Sequence, residues 1–369
     1  MATTITLDPP PAAEPEHARF LSDVRRRHRP IVLALSRQVL GLEGAAPLRR
    51  WRHWWMEPLL YTLEGRTNFF RCAFAFGMAE LAGHPAVGPC AATAGEIAWS
   101  CTLMLDDMVD GAHEREGRPA AHLVYGRVRT GFAVWLGLWR VFKLLLLRAP
   151  AARVRRVRTA WLAVALAARC VRTQLPWRPA ADLEKFARRA RDVNSSTHWS
   201  LLAPIVASGA SALEAPIREY ADAISVNGKM RNDLLDYCGG STESVTRYGD
   251  FHARRVTFPI IVLWEAPLTE SERASLRRHF HDRTGASTLT LDELFRLFAK
   301  YGTLDRCLEL MRRQAADALS AVRRPEGIRR CPSVSALLEA WPRYQVELAE
   351  QRVQSATMPV SEAPGPQTR

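Results

Sequence analysis

Two short runs of acidic residues carry the chemistry that this chain can do. Asp106-Asp107-Met108-Val109-Asp110 closes an apolar stretch that begins at Glu96, and Asn232-Asp233-Leu234-Leu235-Asp236 closes another. In a helix, residues four apart leave the same face one turn from each other. Asp106 and Asp110 make one such pair, and Asn232 and Asp236 make the second. Like charges at that spacing repel, so the first cluster costs stability unless a cation sits on it. A solvated helix end explains either cluster alone. Two oxygen-rich helix ends facing each other across a bundle have a more specific use. Hard oxygen ligands with retained waters suit Mg²⁺ bridging phosphate oxygens. Arg115 follows the first cluster at loop distance, and Arg254 and Arg255 follow the second. The set describes a pocket for a diphosphate and its magnesium ions.

The elements that must position these groups are helical. Apolar residues recur at three- and four-residue spacing over Phe70–Leu81, Ala92–Asp110, Arg153–Val171, Leu201–Ala210 and Ile217–Tyr237. Gly/Pro breaks at Gly83–Pro85, Gly117–Pro119, Pro176–Pro179 and Gly239–Ser241 separate them, and strand-like alternation is scarce. No linker or 20–50-residue repeat divides the chain. The expectation is one all-α domain over residues 18–354, a helical bundle around a deep central cavity. The Pro- and acid-bearing residues 1–17 and the polar 355–369 read as disordered tails.

Composition narrows the function. The 369 residues are 47% hydrophobic and 24% charged, the balance of a globular protein. The net charge of +13 comes from 51 Lys and Arg against 38 Asp and Glu, and the basic residues are spread along the chain. That distribution argues against a nucleic-acid partner, which calls for a basic patch or tail. Seven cysteines form no C-x-x-C pair and read as reduced core thiols of a cytoplasmic protein. The most apolar stretch, Thr130 to Leu147, is broken by Arg140 and Lys143, so no transmembrane segment is expected.

The segment from Glu96 to Gly126, with its D-D-M-V-D-G-A-H-E-R-E-G-R-P, resembles the first aspartate-rich region of trans-isoprenyl diphosphate synthases, the polyprenyl synthetase family. K-M-R-N-D-L-L-D-Y with the following D-F-H-A-R-R-V-T-F-P resembles the second. The resemblance spans residues 60 to 265. It implies an all-α prenyltransferase fold, usually a homodimer, and Mg²⁺-assisted ionisation of an allylic diphosphate with three metal ions. By that resemblance Asp106, Asp110 and Asp236 are metal ligands, joined by Asn232, and Asp107 and Asp233 complete the catalytic carboxylates. Arg115 and Arg255 correspond to diphosphate-binding arginines. Lys229, standing where the family usually has glutamine, could reach the diphosphate as a point charge or simply snorkel.

The site for isopentenyl diphosphate departs from the family pattern. The second arginine of the family's Arg-Arg-Gly is Glu116, an acid where an anion should bind. The histidine seven residues before the first aspartate is Trp99. In the register anchored by Glu80, the early lysine is Asn68 and the early arginine is Arg71; a shift by two residues would instead keep Arg66. The Lys-Thr pair of the middle helix is Thr197-His198 or Ser196-Thr197. Trp99, Glu116, Asn68, Arg71 and His198 are therefore the expected acceptor or cation lining. Three readings follow: transfer of the prenyl chain to a non-isopentenyl small-molecule acceptor, an indole-like aromatic being the favoured class; a terpene cyclase on the same scaffold; and ordinary chain elongation. Thr102 and Cys101, four and five residues before Asp106, are small, so the tail pocket should be open to farnesyl or geranylgeranyl chains.

Overall fold

Apolar residues at helical spacing account for the long elements, and side-chain caps start the helices Leu183–Val193, Glu270–Phe280 and Leu291–Lys300. In the computed structural model, which describes residues 18–42, 46–65, 70–147, 150–174, 182–238, 248–281 and 289–357, nearly everything is helix. The first half runs α1 (Ala18–Val39), α2 (Ala46–Gly65), α3 (Phe70–Leu81) and α4 (Val87–Asp110). A two-stranded hairpin follows, β1 (Glu114–Arg115) and β2 (Arg118–Pro119), then α5 (Ala121–Tyr125), α6 (Arg127–Leu147) and α7 (Arg153–Gln174). The chain continues through α8 (Leu183–Val193), α9 (Ser195–Ser208), α10 (Glu214–Tyr237), α11 (Gly249–His252) and α12 (Phe258–Trp264). It closes with α13 (Glu270–Phe280), α14 (Leu291–Lys300), α15 (Thr303–Arg323), α16 (Glu326–Arg329) and α17 (Pro332–Thr357). Full capping boxes start α13 (Thr269 with Glu272) and α14 (Thr290 with Glu293), satisfying otherwise orphaned N–H groups.

The expectation of an all-α bundle holds, with one addition. The short hairpin after the first cluster is too brief to show in hydrophobic periodicity. Its two-residue turn, Glu116-Gly117, has positive φ at both positions, 50° and 76°, the geometry that matches strand twist. Glycine adopts this freely; Glu116 does so at a cost. α17 runs three residues beyond the expected boundary at 354, and residues 1–17 and 358–369 lie outside the described residues.

The two helices that end in acidic clusters do not lead the packing of one another. α4 packs on α3, α6 and α9, whereas α10 packs on α15, α9 and α17. α9, which packs on both, thus holds α4 and α10 on either side of a cavity. Away from it, α6 and α7 pack together and turn a run of large apolar side chains outward: Phe132, Trp135 and Trp139 on α6, Val157, Trp161 and Val164 on α7. α6 is the one described helix long and apolar enough to cross a membrane, although Arg127 and Arg129 open it and Arg140 and Lys143 interrupt it; it also packs against α2, α4 and α7.

Candidate active site

Both clusters occupy the last turn of their helices. There the free carbonyls leave partial negative charge, so acidic side chains are unfavourable unless cations meet them. α4 stops at Gly111, left-handed at φ 65°, whose N–H bonds to the Asp107 carbonyl. Asp107, 2% exposed, accepts from Arg115 Nε at 3.0 Å and from Arg115 Nη2, and Nη2 also lies 3.4 Å from Asp106 Oδ2. The hairpin is what folds Arg115 back over the helix end. Asp110 ends α4; its side chain lies outside the described set.

The second cluster is tied to the segment that follows it. Asp233, buried, accepts from the Phe258 N–H at 3.0 Å and pairs with Lys229 Nζ at 2.6 Å. Asp236 accepts the N–H groups of Gly249 (3.1 Å) and Asp250 (3.0 Å). Burial raises the Asp236 pKa despite those bonds. Burial, with Asp233 and Asp236 nearby, pushes Asp250 up to about 6 against the pull of Lys229 and Arg255. For Lys229, burial works downward but Asp233 and Asp250 outweigh it, so its pKa rises and it stays charged. Asn232 is held by its neighbour Arg231, whose Nη2 donates at 2.7 Å. Arg255 reaches Asp250 at 3.5 Å. Asp250 belongs to this constellation, although its role could not be seen from the cluster spacing.

Asp106, Arg115, Glu116, Lys229 and Asn232 line one polar cavity of about 180 Å³, with Arg71, Trp99 and Thr197 further along its wall. The Arg71 guanidinium lies 4.0 Å from the Trp99 ring and 4.5 Å from that of Phe70. Trp99 also faces a second, apolar cavity of about 80 Å³ that runs along α4 past Thr102, Cys101 and Ala98 to Gly95 and Ala94. Trp199 of α9 closes its far end and donates Nε1–H to the Ala91 carbonyl at 2.9 Å. Gly95 permits this: a Cβ there would stand 2.7 Å from Trp199 Cδ1.

Most of the expected residues therefore meet here. His198 does not. Its Nε2 contacts Asp222 at 2.6 Å and its ring is 1% exposed between α9 and α10. Adjacent helix positions differ by about 100° in direction, so Thr197 lines the cavity and His198 points elsewhere. Asn68 lies outside the described residues. Trp341 and Gln345 of α17 line the same cavity, a contribution no local pattern announces.

The donor set suits Mg²⁺ carried in with a diphosphate. Among the described residues no three His, Cys, Asp or Glu side chains converge to hold a metal. Mg²⁺ keeps several waters and commonly binds one or two carboxylates plus substrate phosphates, so Asp106 and the Asn232 end of α10 fit that mode.

Comparison with known proteins agrees with the architecture. The decaprenyl diphosphate synthase of Rhodobacter capsulatus superposes with a TM-score of 0.74 at 21% identity, covering 90% of this chain and 99% of that one. The geranylgeranyl pyrophosphate synthetase of Pyrococcus horikoshii Ot3 gives 0.71 at 16% identity, with 90% and 99% covered. A polyprenyl synthase of Caulobacter crescentus CB15, solved with calcium and isoprenyl diphosphate, gives 0.67 at 19% identity, with 89% and 97% covered. These identities establish the shared fold. No curated protein matches in sequence. The polyprenyl synthetase family model matches residues 52–297, which include both acidic clusters and more than half of the chain. The chain belongs to the polyprenyl synthetase family and is a prenyltransferase, an enzyme that transfers allylic prenyl groups.

Proposed function

We propose that this enzyme is Mg²⁺-dependent, ionises a long allylic diphosphate, farnesyl or geranylgeranyl, and passes the chain to an acceptor other than isopentenyl diphosphate. An indole-like aromatic is the acceptor class favoured. One observation carries the reading: beside Asp106 the polar cavity presents the carboxylate of Glu116 and the rings of Trp99, Phe70 and Trp341. An anionic second substrate would meet a like charge there.

Asp106, Asp110, Asn232 and Asp236 are the oxygens offered to magnesium, with Asp107 and Asp233 orienting Arg115 and Lys229. Magnesium bound there would put positive charge on the leaving diphosphate. Arg115 and Lys229, released from Asp107 and Asp233, can turn to the same oxygens, with Arg255 behind Asp250. The carbon–oxygen bond breaks and the diphosphate leaves with the electron pair. The tail lies along the apolar cavity, and the allylic cation faces Trp99, whose ring can steady it. The acceptor carbon then forms the new bond, and Glu116 is the group in the cavity suited to take the proton released. The apolar stripe on α6 and α7 supports a homodimer built across those helices.

Chain elongation is the second reading, favoured by Arg71, which keeps a cation in the cavity. The deciding experiment incubates the protein with Mg²⁺ and farnesyl or geranylgeranyl diphosphate alone, with isopentenyl diphosphate, or with a panel of aromatic acceptors. A prenylated aromatic supports the proposal. A longer diphosphate supports elongation, and a hydrocarbon from the allylic substrate alone indicates cyclisation.

A further inference from the structure

The C-terminal helix enters the polar cavity with two side chains outside both acidic clusters and beyond the residues matched by the family model. Trp341 and Gln345 stand one turn apart on α17. Trp341 is 4% exposed and stacks on Phe70, ring centroids 3.9 Å apart at 18°. Gln345 is 2% exposed, and its Nε2 lies over Gly228 of α10, where a Cβ would come within 3.0 Å. Its Oε1 has no hydrogen-bond partner among the described residues. Burying an amide oxygen without a donor costs about 1–3 kcal/mol, and buried polar groups in native proteins are nearly always satisfied. Gln345 lines the polar cavity, so a molecule entering it is one source of that donor.

Sorting the cavity's polar groups by hydrogen-bonding sense says what that is. The carboxyl oxygens of Glu116 and Gln345 Oε1 both accept. Lys229 is directed to Asp233, Arg115 to Asp107 and Asp106, and Arg71 is set against the rings of Phe70 and Trp99. A diphosphate brings only acceptors to the Gln345 end. A hydroxylated ring brings acceptor lone pairs as well as a donor. A ring N–H of the indole kind only donates, and its faces suit walls made of aromatic rings.

We propose that Trp341 and Gln345 form the subsite that selects the acceptor, with Gln345 Oε1 accepting a hydrogen bond from the ring N–H of an uncharged heteroaromatic. This rests on the aromatic-acceptor reading above and deepens it by assigning the residues that choose among aromatics. Replacing the N–H by N–CH₃ leaves Oε1 unpaired and places a methyl against it. Sites built around a buried hydrogen-bonding group reject analogues that lack the partner. The expected preference is about 5- to 150-fold.

The test measures binding calorimetrically, so that it does not depend on turnover. Indole and N-methylindole are titrated into the full-length protein holding Mg²⁺ and a non-ionising thio-analogue of farnesyl diphosphate. Wild type should bind indole at least about fivefold more tightly. Gln345→Leu should bring the two affinities within about threefold, chiefly by weakening indole. Gly228→Ala crowds the amide from the opposite side and should lower the preference in part; it also serves if Gln345→Leu fails to fold. If both folded variants keep the wild-type preference, or wild type binds the probes equally, the subsite assignment is overturned while aromatic transfer stands. If wild type binds neither probe and instead elongates the chain with isopentenyl diphosphate, the aromatic reading falls and this inference falls with it.

Discussion

Replacing Thr102 by phenylalanine should shorten the allylic substrate that the enzyme prefers. Thr102 lies four residues below Asp106 on α4, about 6 Å along the axis, and lines the apolar cavity. The same wall continues to Ala94, about 18 Å below Asp106, where Trp199 closes it. One isoprene unit spans close to one helical turn, about 5.4 Å. The open cavity thus suits three to four units, and a ring at 102 leaves space for one or two. Each unit brings five carbons out of water, with a ceiling near 4 kcal/mol at about 0.8 kcal/mol per methylene. Half of that for a single displaced unit is about 2 kcal/mol, or about 30-fold. The expected result is a fall of at least about 30-fold in kcat/KM for geranylgeranyl relative to geranyl diphosphate, read by diphosphate release across the chain-length series. Cys101→Phe should behave differently. Cys101 Sγ packs where α6 has Gly137, and a Cβ at Gly137 would sit 2.9 Å from it. A ring there overpacks the α4–α6 contact and should cost about 1–3 kcal/mol of stability besides blocking the cavity. If Thr102→Phe keeps the wild-type chain-length ratio within about threefold, the tail does not run along this face of α4.

Asp106→Ala or Asp110→Ala should lower kcat at least about a hundredfold with little change in Tm, since each removes leaving-group stabilisation while relieving repulsion at a helix end; near wild-type turnover at saturating Mg²⁺ refutes the metal assignment. Trp99→His combined with Glu116→Arg should raise elongation with isopentenyl diphosphate, and no gain over wild type would count against the damaged-site argument, with the single variants measured to expose coupling. Trp161→Glu places a charge in the outward apolar stripe of α7 and should convert a dimer to a monomer by size-exclusion chromatography with light scattering; an unchanged mass excludes α7 from the interface. Glu272 joins the α13 cap to Lys300 and Tyr301, and those hydrogen bonds hold its pKa down to about 2. Its contribution to stability is therefore present above the usual glutamate pKa of about 4.5 and lost as pH falls toward 2. Tm of wild type should exceed that of Glu272→Gln at neutral pH and converge with it in acid; a constant difference down to pH 2 would contradict this.

The sequence by itself determined what depends on neighbours along one helix. The pairings of Asp106 with Asp110 and of Asn232 with Asp236, and the positions of Trp99 and Thr102 below the first cluster, all follow from 3.6 residues per turn. So did the all-α class, because apolar periodicity is a local property. What needed the tertiary structure was every relation between elements. His198 is adjacent to Thr197 yet faces Asp222, because α10 packs on that side of α9. Glu116 is aimed into the cavity by a two-residue turn too short to leave a periodic signal. Trp199 floors the apolar cavity only because Gly95, on a different helix, leaves room for it. Asp250 joins the second cluster through backbone N–H groups given to Asp236 across thirteen or so residues of chain. Trp341 and Gln345 reach the first cluster from more than two hundred residues away, brought there by α17 packing on α3 and α10. Local spacing sets which groups share a face; only the packing of one helix on another sets what that face meets.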